Sequence, residues 1–411
     1  MSSMSFMDKL LDGVAVEWKP LGEVLVRTKG TKITAGQMKG LHKDGGAIKI
    51  FAGGKTVAFL SLEDIPSKDI NRKPSIIVKS RGVIEFEYYD KPFSHKNEMW
   101  SYHSNSDHIH IKFFYHFLKL NEPHFQQLGS KMQMPQIATP DTDKFLVPIP
   151  CPDNPKKSLE IQAKIVQILD TFTELTTELT TELTNRKKQY NHYREQLLNF
   201  EDGDVEWKTL GDVTKKWYSG GTPTAGVPKY YEGGDIPWLR TQEVKFSDIH
   251  STEVKITEAA VKNSAAKWIP VNCVIIAISG ATAGRSAINR IPMTTNQHCG
   301  CLEIDDSKAL YRYVFHWVSF NYENIKSLGQ GARGDLNSSI IKSFKLPIPY
   351  PDDPGKSLAE QARIVTILDK FDALTNSITE GLPREIELRQ KQYAHYRDLL
   401  LSFPKSEKVE V

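Results

Sequence analysis

The strongest constraint on the fold is that the chain repeats itself. Segments 16–24, 148–153 and 189–194 return, nearly residue for residue, as segments 205–213, 347–352 and 392–397. A chain of 411 residues duplicated in this way folds most simply as two similar halves related by an approximate two-fold axis. Such a molecule suits a target with two spaced half-sites, of which duplex DNA is the commonest.

The repeat is uneven, which predicts a constant frame around two different inserts. The matching is poor between residues 25 and 145 and between residues 214 and 344. Within these stretches, short β-branched runs bounded by Gly and Pro predict strands, and longer apolar stretches predict helices. The predicted strands are 47–51, 75–78 and 273–278, and the predicted helices lie near 110–120 and 309–326. Each insert is therefore expected to be a mixed α/β domain.

Composition places the chain among soluble globular proteins. It is 39% hydrophobic and 25% charged, and no apolar run approaches the roughly 20 residues that span a bilayer. Four cysteines and an N-terminus too short and acidic for a signal peptide favour a reduced cytoplasmic setting. The net charge of +3 adds little support for nucleic-acid binding on its own.

Two long helical stretches are predicted to connect the inserts. Residues 158–200 show the apolar spacing of a coiled-coil seam without Gly or Pro. Residues 357–403 repeat the seam, with Ser357 and Glu360 as a capping box at the start and Pro383 as a break or kink. We expect the two helices to pack antiparallel; the alternative is that each packs only on its own domain. The seam and partner-docking residues are Ile161, Ile165, Ile168, Phe172, Leu175 and Leu179, with Ile364, Ile367, Phe371, Leu374 and Ile378.

Three tandem copies of Thr-Glu-Leu-Thr occupy residues 173–184 of the first helix. Each copy adds about 6 Å of helix, which is close to two base-pair rises of about 3.4 Å. We interpret the segment as a spacer whose copy number sets the distance between the inserts. The alternative is a solvated helical stretch without special use, which leaves the repetition unexplained.

The predicted fold class is α+β, pseudo-two-fold and circularly organised. The C-terminal segment 399–403 resembles the segment before the central joint, and segment 12–18 resembles the segment after it. The chain ends are therefore expected to lie near each other. The predicted division is a first mixed α/β domain, a central helix, a second mixed α/β domain and a C-terminal helical region, over residues 1–157, 158–200, 201–356 and 357–411.

Polar loops of both inserts are predicted to contact DNA. Arg suits guanine edges, Asn and Gln suit adenine edges, and backbone amides at Gly-rich turns suit phosphates. For any one of these residues, a solvated surface charge or a turn former is at least as good an explanation. The candidates in the first insert are Lys29, Lys32, Lys55, Arg72, Lys73, Lys79, Arg81, Lys96 and Asn97. Those in the second are Lys216, Thr222, Thr224, Arg240, Arg285, Asn296, Gln297, His298, Arg333 and Asn337.

Taken together, these motifs resemble the specificity subunits of Type I restriction-modification systems over nearly the whole chain. The resemblance rests on the duplicated Glu-Trp-Lys-x-Leu-Gly-(Asp/Glu)-Val and Pro-Ile-Pro-x-Pro-Asp segments. Each Pro-rich segment is followed by Gln-Ala-(Lys/Arg)-Ile-Val-x-Ile-Leu-Asp, and Ser-Gly-Gly-Thr-Pro stands at 219–223. Each motif is weak alone, but the combination is highly specific.

The resemblance implies two target-recognition domains, each reading one half of a bipartite double-stranded DNA site. It also implies that the two long helices dock two modification subunits, which carry S-adenosylmethionine and methylate adenine. Restriction subunits, which use ATP and Mg, join to cut DNA. This chain itself is expected to bind no cofactor. The competing hypothesis, from a different functional class, is a coiled-coil scaffold whose inserts bind proteins.

No catalytic motif is found in the sequence, so the chain is predicted not to be an enzyme. Adenine methylation needs an Asn/Asp-Pro-Pro-Tyr/Phe pocket, and the sequence has no Pro-Pro pair. Residues 52–56 imitate the end of a P-loop, but Lys49 stands where its leading Gly is needed. His108 and His110 form a weak pattern for two imidazoles on one strand face, and no metal site is predicted.

Overall fold

The computed structural model describes residues 15–130, 133–201, 205–331, 334–377 and 379–404. They form two compact units. The first unit comprises the described residues up to Thr180 together with those from Glu385 onward, and the second runs from Thr181 to Arg384.

The first unit contains nine strands and five helices of its own among its described residues. The strands are β1 (Val16–Pro20), β2 (Val26–Lys29), β3 (Ile48–Phe51), β4 (Val57–Leu60), β5 (Ser75–Lys79), β6 (Glu85–Tyr89), β7 (Phe93–His95), β8 (Trp100–His103) and β9 (Leu146–Pro150). The helices are α1 (Leu21–Val24), α2 (Ala35–Gly40), α3 (Ile111–Leu120), α4 (Glu122–Gly129) and α5 (Thr139–Asp143).

These strands build two small sheets and a ribbon. One sheet has the order β2-β8-β5-β6, the other has the order β4-β3-β7, and β1 pairs with β9. The fully buried strand β5 is rich in Ile and Val, because a strand covered on both faces needs apolar, β-branched side chains. Prolines are tolerated in the β1–β9 ribbon because each of its strands has a free edge.

The long helix α6 (Pro155–Leu198) follows, and then the second unit adds eleven strands. They are β10 (Val205–Thr209), β11 (Thr214–Tyr218), β12 (Ile236–Leu239), β13 (Asp248–Ile249), β14 (Lys255–Ile256), β15 (Lys267–Ile269), β16 (Val274–Ala277), β17 (Ser286–Asn289), β18 (Met293–Thr295), β19 (Cys299–Ile304) and β20 (Lys345–Pro349). The remaining helices are α7 (Pro228–Tyr231), α8 (Glu258–Lys262), α9 (Tyr311–Phe320), α10 (Tyr322–Ser327), α11 (Ser338–Ser343), α12 (Pro354–Asn376) and α13 (Gly381–Leu400).

The second unit repeats the topology of the first and extends it. Its sheets have the orders β11-β19-β16-β17-β13 and β14-β12-β18-β15, and β10 pairs with β20. The parallel pair β12–β18 corresponds to the parallel pair β3–β7. Strands β13 and β15 extend the two sheets at their edges. The predicted mixed α/β inserts and the predicted strands are confirmed, and the helix expected at 309–326 is divided at Asn321.

Helix α6 is one unbroken helix of 44 residues, as predicted. The Asn154 side chain accepts a hydrogen bond from the Lys157 amide and so caps its start. In the repeated segment, the hydroxyls of Thr173 and Thr176 donate back to the carbonyls of Leu169 and Phe172. The threonines therefore satisfy their polar groups within the helix, which keeps the tandem repeat helical.

The second helical stretch is divided into α12 and α13, as Pro383 predicts. The capping box predicted at Ser357 and Glu360 is wrong: Asp353 caps α12 by accepting from the Lys356 amide, and Ser357 is buried inside the helix. The chain turns back at Gly381, where a Cβ would lie 2.3 Å from the Ala373 carbonyl oxygen. Pro383 follows in the first turn of α13, where its missing N–H costs no helical hydrogen bond.

The two ends of the described chain meet in the first unit, as predicted. The Trp18 indole donates a 3.0 Å hydrogen bond to the Pro404 carbonyl oxygen. Phe403 packs edge-on against Phe113, and Leu400 lies in the same apolar core. The end of α13 therefore completes the core of the unit that contains the start of the chain.

Each unit also contains at least one aromatic contact between two long helices. In the first unit, Phe172 of α6 stacks on Tyr396 of α13 at 5.2 Å between ring centroids. In the second unit, Tyr193 of α6 stacks on Phe371 of α12 at 5.4 Å. Thus a later residue of α6 pairs with an earlier residue of the other stretch, which is the order expected for antiparallel helices.

The predicted seam residues fall into two groups. Ile161, Ile165 and Ile364 are buried in the apolar cores of their own units, and Ile168 packs beside the first core. The others, Leu175, Leu179, Ile367 and Leu374, are partly exposed, and Ile378 lies outside the described residues. The N-terminal parts of α6 and α12 thus belong to the globular cores of their own units.

Candidate nucleic-acid interface

Buried polar groups attach each α/β domain to a long helix. In the second unit, Asp369 of α12 accepts hydrogen bonds from His316 (2.6 Å) and Arg312 (3.0 Å to Nε) on α9. Burial raises the pKa of this carboxyl, but the hydrogen bonds from His316 and Arg312 outweigh burial and lower it. Asp369 is therefore a carboxylate at neutral pH and joins the two helices through charge-assisted hydrogen bonds.

The first unit repeats this attachment with different residue types. Asp170 of α6 accepts hydrogen bonds from Lys112 (2.7 Å) and His116 (3.1 Å) on α3. In addition, the Gln162 side chain accepts from the His110 amide, just as Gln361 accepts from the Leu310 amide in the second unit. Helices α3 and α9 are thus each held in a defined position against a long helix of the same unit.

The second unit brings several predicted side chains together on one ledge, formed by residues 219–222, 279 and 296–298. The Thr222 hydroxyl donates to Gln297 Oε1 at 2.8 Å. His298 Nδ1 lies 2.7 Å from the Ser279 hydroxyl, and its Nε2 lies 3.1 Å from the Gln297 amide. Gln297 and His298 are both exposed. The ledge therefore presents hydroxyl, amide and imidazole groups, which can read base edges.

Glycines bring the two sides of this ledge into contact. A Cβ at Gly220 would lie 1.8 Å from the Thr295 carbonyl oxygen, so no other residue fits there. The Gly220 and Gly221 amides donate to the carbonyls of Asn296 and Thr295. The prediction that amides of this turn bind phosphate is therefore wrong for these two, because they are already paired.

Four other candidates of the second unit have partners within the domain. Arg240 forms an ion pair with Glu253, and Asn296 is 7% exposed and accepts from the His298 amide. Asn337 caps α11 by accepting from the Ile340 amide. Lys216 lies 4.8 Å from the ring of Tyr218, whose hydrogen bond to Glu303 raises its pKa to about 12.

The remaining candidates of this unit are less constrained. Thr224 is exposed in the loop before α7, and Arg285 is partly exposed in the loop before β17. No ion pair involves Arg285 within the described part of the chain. Arg333 lies outside the described residues.

The first unit presents a groove instead of a ledge. Its walls enclose about 880 Å³ between the loop after β2, helix α2 and the turns before β5. Lys29, Lys32 and Asn97, all predicted from sequence, line this groove. Arg27, Gln37 and Lys68 line it as well, although they are not among the residues predicted from the sequence. The lysines are exposed and suit a phosphate backbone.

Three lysines of the first insert are engaged elsewhere. Lys79 is 6% exposed and pairs with Glu85 and Glu87, so its selection as a DNA contact is wrong. Burial disfavours its charge, but these two carboxylates raise its pKa overall. Lys96 pairs with Glu98 at 2.6 Å, and Lys73 donates to Asn105 at 2.7 Å.

The other candidates of the first insert lie on exposed turns. Lys55 occupies the hairpin turn between β3 and β4, where the sequence imitates a P-loop. Arg72 precedes β5, and Arg81 follows it with Nε 3.2 Å from the sulfur of Met134. None of these three lines the groove.

The structure gives little support for a metal site, a membrane-spanning helix or a reactive thiol among the described residues. His108 and His110 lie in a turn and at the cap of α3, not on a strand as the weak metal pattern assumed. Among the described residues, no group of His, Cys, Asp and Glu is arranged to hold a metal ion. No helix in the described ranges is long and apolar enough to cross a membrane. Burial raises the pKa values of Cys273 and Cys299 to about 12, so these thiols are unreactive.

Comparison with known proteins gives the family. A profile described as "Type I restriction modification DNA specificity domain" matches residues 14–188 and again residues 203–388. The specificity subunit of the Type I restriction enzyme EcoR124I/EcoR124II of Escherichia coli is 42% identical over 418 residues, which cover 100% of both chains.

This chain is a member of the Type I restriction-modification specificity-subunit family.

Further similarities extend over the whole length of this specificity subunit. A putative type I restriction enzyme specificity subunit of Haemophilus influenzae is 29% identical and covers 98% of this chain and 99% of its own. The crystal structure of a Type I restriction-modification system S subunit from M. genitalium matches with a TM-score of 0.66. It covers 96% of this chain and 98% of its own at 15% identity, so it shows that the fold is shared.

Some site residues were not predicted from the sequence, and they differ in whether a sequence pattern could have indicated them. Gln37 follows Thr34 at the spacing of a capping box, a signal that could have placed its side chain at the start of α2. Ser279 gave no comparable signal, because its contact with His298 depends on how the strands pair.

One buried histidine of this specificity subunit, His95, gives a pH-dependent prediction, and its carbonyl oxygen accepts a hydrogen bond from the amide of the groove residue Thr31. His95 is fully buried, and burial lowers its pKa to about 4, against smaller opposing effects of the Lys96 carbonyl and Glu98. Below about pH 6.5, His95 is therefore protonated in the unfolded chain, whereas it stays neutral in the folded unit down to about pH 4. Local stability should fall by about 2 kcal/mol between pH 7 and pH 5.

Hydrogen exchange of peptides covering 93–103, corrected for intrinsic rates, measures this loss. His95→Gln removes the titrating group, so the stability of this segment should depend less on pH. An equally steep dependence in His95→Gln would show that another group is responsible.

Proposed function

We propose that this specificity subunit selects a bipartite duplex DNA site, one half-site through each unit, for a Type I restriction-modification complex. The observation that carries the proposal is the combination of full-length family membership with two units of the same topology but unlike polar surfaces. The first unit offers the lysine-lined groove, and the second offers the ledge around Gln297 and His298. Two unlike surfaces on one repeated frame suit two unlike half-sites.

The chain acts without catalytic groups of its own in this proposal. Two modification subunits dock on the long helices, bind S-adenosylmethionine and methylate adenine, and restriction subunits supply the ATP- and Mg-dependent cutting. The division of labour follows residues 1–157 and 201–356 for target recognition and 158–200 and 357–411 for docking and spacing. The repeated helix contacts support two copies of the same partner, because each unit offers the same Phe–Tyr stack. Such a complex works in the cytoplasm, where the host DNA lies.

The test measures how the complex assembled with its modification subunits binds three duplexes at fixed salt. One duplex carries the site mapped from genomic methylation, and each of the other two has one half-site scrambled. The wild type should prefer the intact site at least about 100-fold over either scrambled duplex. A complex that retains all three duplexes equally at every salt concentration would contradict the proposal and favour a protein-binding scaffold.

A double variant of the second unit assigns the half-sites. Gln297→Ala with His298→Ala should weaken binding of the intact site at least about tenfold. The loss should disappear on the duplex whose corresponding half-site is already scrambled, while discrimination at the other half-site is kept. Glu258→Ala with Lys262→Ala removes an exposed ion pair of the same unit and serves as the matched control. If the double variant loses binding equally on both scrambled duplexes, the ledge does not read the bases of one half-site.

A further inference from the structure

We propose that Gln37 and Asn97 together read one base pair of the half-site bound by the first unit, and that an adenine edge is the pattern they fit. The inference rests on the proposed function and adds the specificity-determining side chains of that unit. Gln37 supplies a fixed donor and Asn97 a fixed acceptor to the same groove.

The donor end of Gln37 is fixed by helix capping. Its Oε1 accepts hydrogen bonds from the Thr34 amide (2.9 Å) and the Thr34 hydroxyl (3.0 Å). A backbone amide only donates, so the atom facing it must be the oxygen, and the NH2 group must point the other way. Gln37 is exposed and lines the groove, and its Nε2 has no hydrogen-bond partner among the described residues. A donor is therefore held ready at the groove wall.

The acceptor atom of Asn97 is fixed because its NH2 group faces two backbone carbonyl oxygens. Its amide nitrogen, in the orientation that satisfies the contacts, lies 2.7 Å from the Gly30 carbonyl oxygen and 3.3 Å from that of Thr31. Carbonyl oxygens only accept, so the nitrogen must face them and the Asn97 oxygen must face away. Asn97 also lines the groove. Both amides have thus lost the freedom to rotate that would let them accept any base.

The charges around the groove fit a nucleic-acid backbone. Lys29, Lys32 and Lys68 make no ion pair within the described residues. Two carboxylates also line the groove: Asp64 accepts from the Ser61 amide and lies 3.7 Å from Lys43, and Asp69 stands beside Lys68 in sequence. The lysines can hold phosphates, while the two amides, which line the same groove, can meet a base edge.

A fixed donor and a fixed acceptor on the walls of one groove can complement adenine, which presents the N7 acceptor and the N6 amine donor side by side in the major groove. Gln37 Nε2 would donate to N7, and Asn97 Oδ1 would accept from N6. Guanine presents two acceptors on the same edge and would leave Asn97 facing an oxygen. The pair of amides therefore rejects guanine as well as accepting adenine.

The test is Gln37→Glu in the complex assembled with its modification subunits. Glutamate keeps the oxygen that caps Thr34, since Glu is a standard residue at this position of a capping box, but it replaces the free donor with an acceptor. Binding is measured on a set of duplexes in which each base pair of the mapped site is replaced in turn. We expect a 10- to 100-fold loss of preference at one A·T pair of one half-site, with preferences at all other positions unchanged.

Controls separate this effect from charge and from misfolding. Gln127→Glu places the same charge on an exposed position of this unit outside the groove and should change no single-position preference. Thr34→Ala keeps the Gln37 donor but loosens it, so its smaller loss should fall on the same base pair. A uniform loss at all positions, or an unchanged profile for Gln37→Glu, would overturn the inference. A wild type without any sequence preference would instead overturn the proposed function.

Discussion

Deleting one Thr-Glu-Leu-Thr copy, residues 177–180, should make the complex methylate a site whose gap is one to two base pairs shorter, while both half-sites stay the same. The deletion shortens α6 by about 6 Å and rotates its remainder by about 40° beyond a full turn. The copies lie where the first unit ends and the second begins, at Thr180 and Thr181. Modification of the original site should fall at least about 100-fold, which mapping of genomic adenine methylation measures.

A length-preserving variant is the control for this deletion. Thr173→Ala with Thr176→Ala removes two hydroxyls that bond only within the helix, without changing its length. Its gap should match that of the wild type. If the deletion leaves the gap unchanged, the repeat is not a spacer, and if the control changes the gap, the threonine side chains rather than the length are responsible.

Asp369→Ala should destabilise the second unit by about 2 kcal/mol. The variant removes the carboxylate that accepts from His316 and Arg312, whose side chains are 1% and 17% exposed. Asp248 still pairs with Arg312 at 2.8 Å, which limits the loss, but a buried donor without its acceptor carries a desolvation cost. Because the pKa of Asp369 is lowered, its contribution is fully present at neutral pH and disappears only in strong acid.

Hydrogen exchange of α9 and α12 at pH 7 measures this effect locally. Glu360→Ala on the same helix breaks an ion pair with the more exposed Arg363 and should change stability by less than about 0.5 kcal/mol. If Asp369→Ala proves as mild as Glu360→Ala, the Asp369 carboxylate does not hold the domain to its helix.

The sequence was most informative where a pattern extends over many residues. The seam spacing and the absence of Gly and Pro predicted α6 over nearly its full length, and Pro383 predicted the division that follows α12. The repeat predicted that the chain ends meet. Segment 399–403 resembles the segment before the central joint, so it was expected to pack in the same kind of environment. In these cases one physical cause, the burial of a repeated apolar pattern, decides the structure.

Predictions from the sequence were wrong where the structure depends on which single residue a side chain contacts. A lysine such as Lys79 looks the same in sequence whether it meets a phosphate or two partly exposed carboxylates of its own domain. The start of α12 was misplaced because Asp353 and Pro354 make a better cap than Ser357, which lies one turn inside. The groove around Gln37 could not be foreseen, since it brings together loops that are far apart in the chain.

The central claim is that two unlike reading surfaces on a repeated frame select one bipartite DNA site. Its most direct test is a genome-wide map of adenine methylation in cells producing this chain together with its modification subunit, compared with cells that lack the chain. The account predicts a single new motif with two different half-sites separated by a gap of fixed length. A map without any chain-dependent motif, or one with a continuous undivided motif, would contradict it.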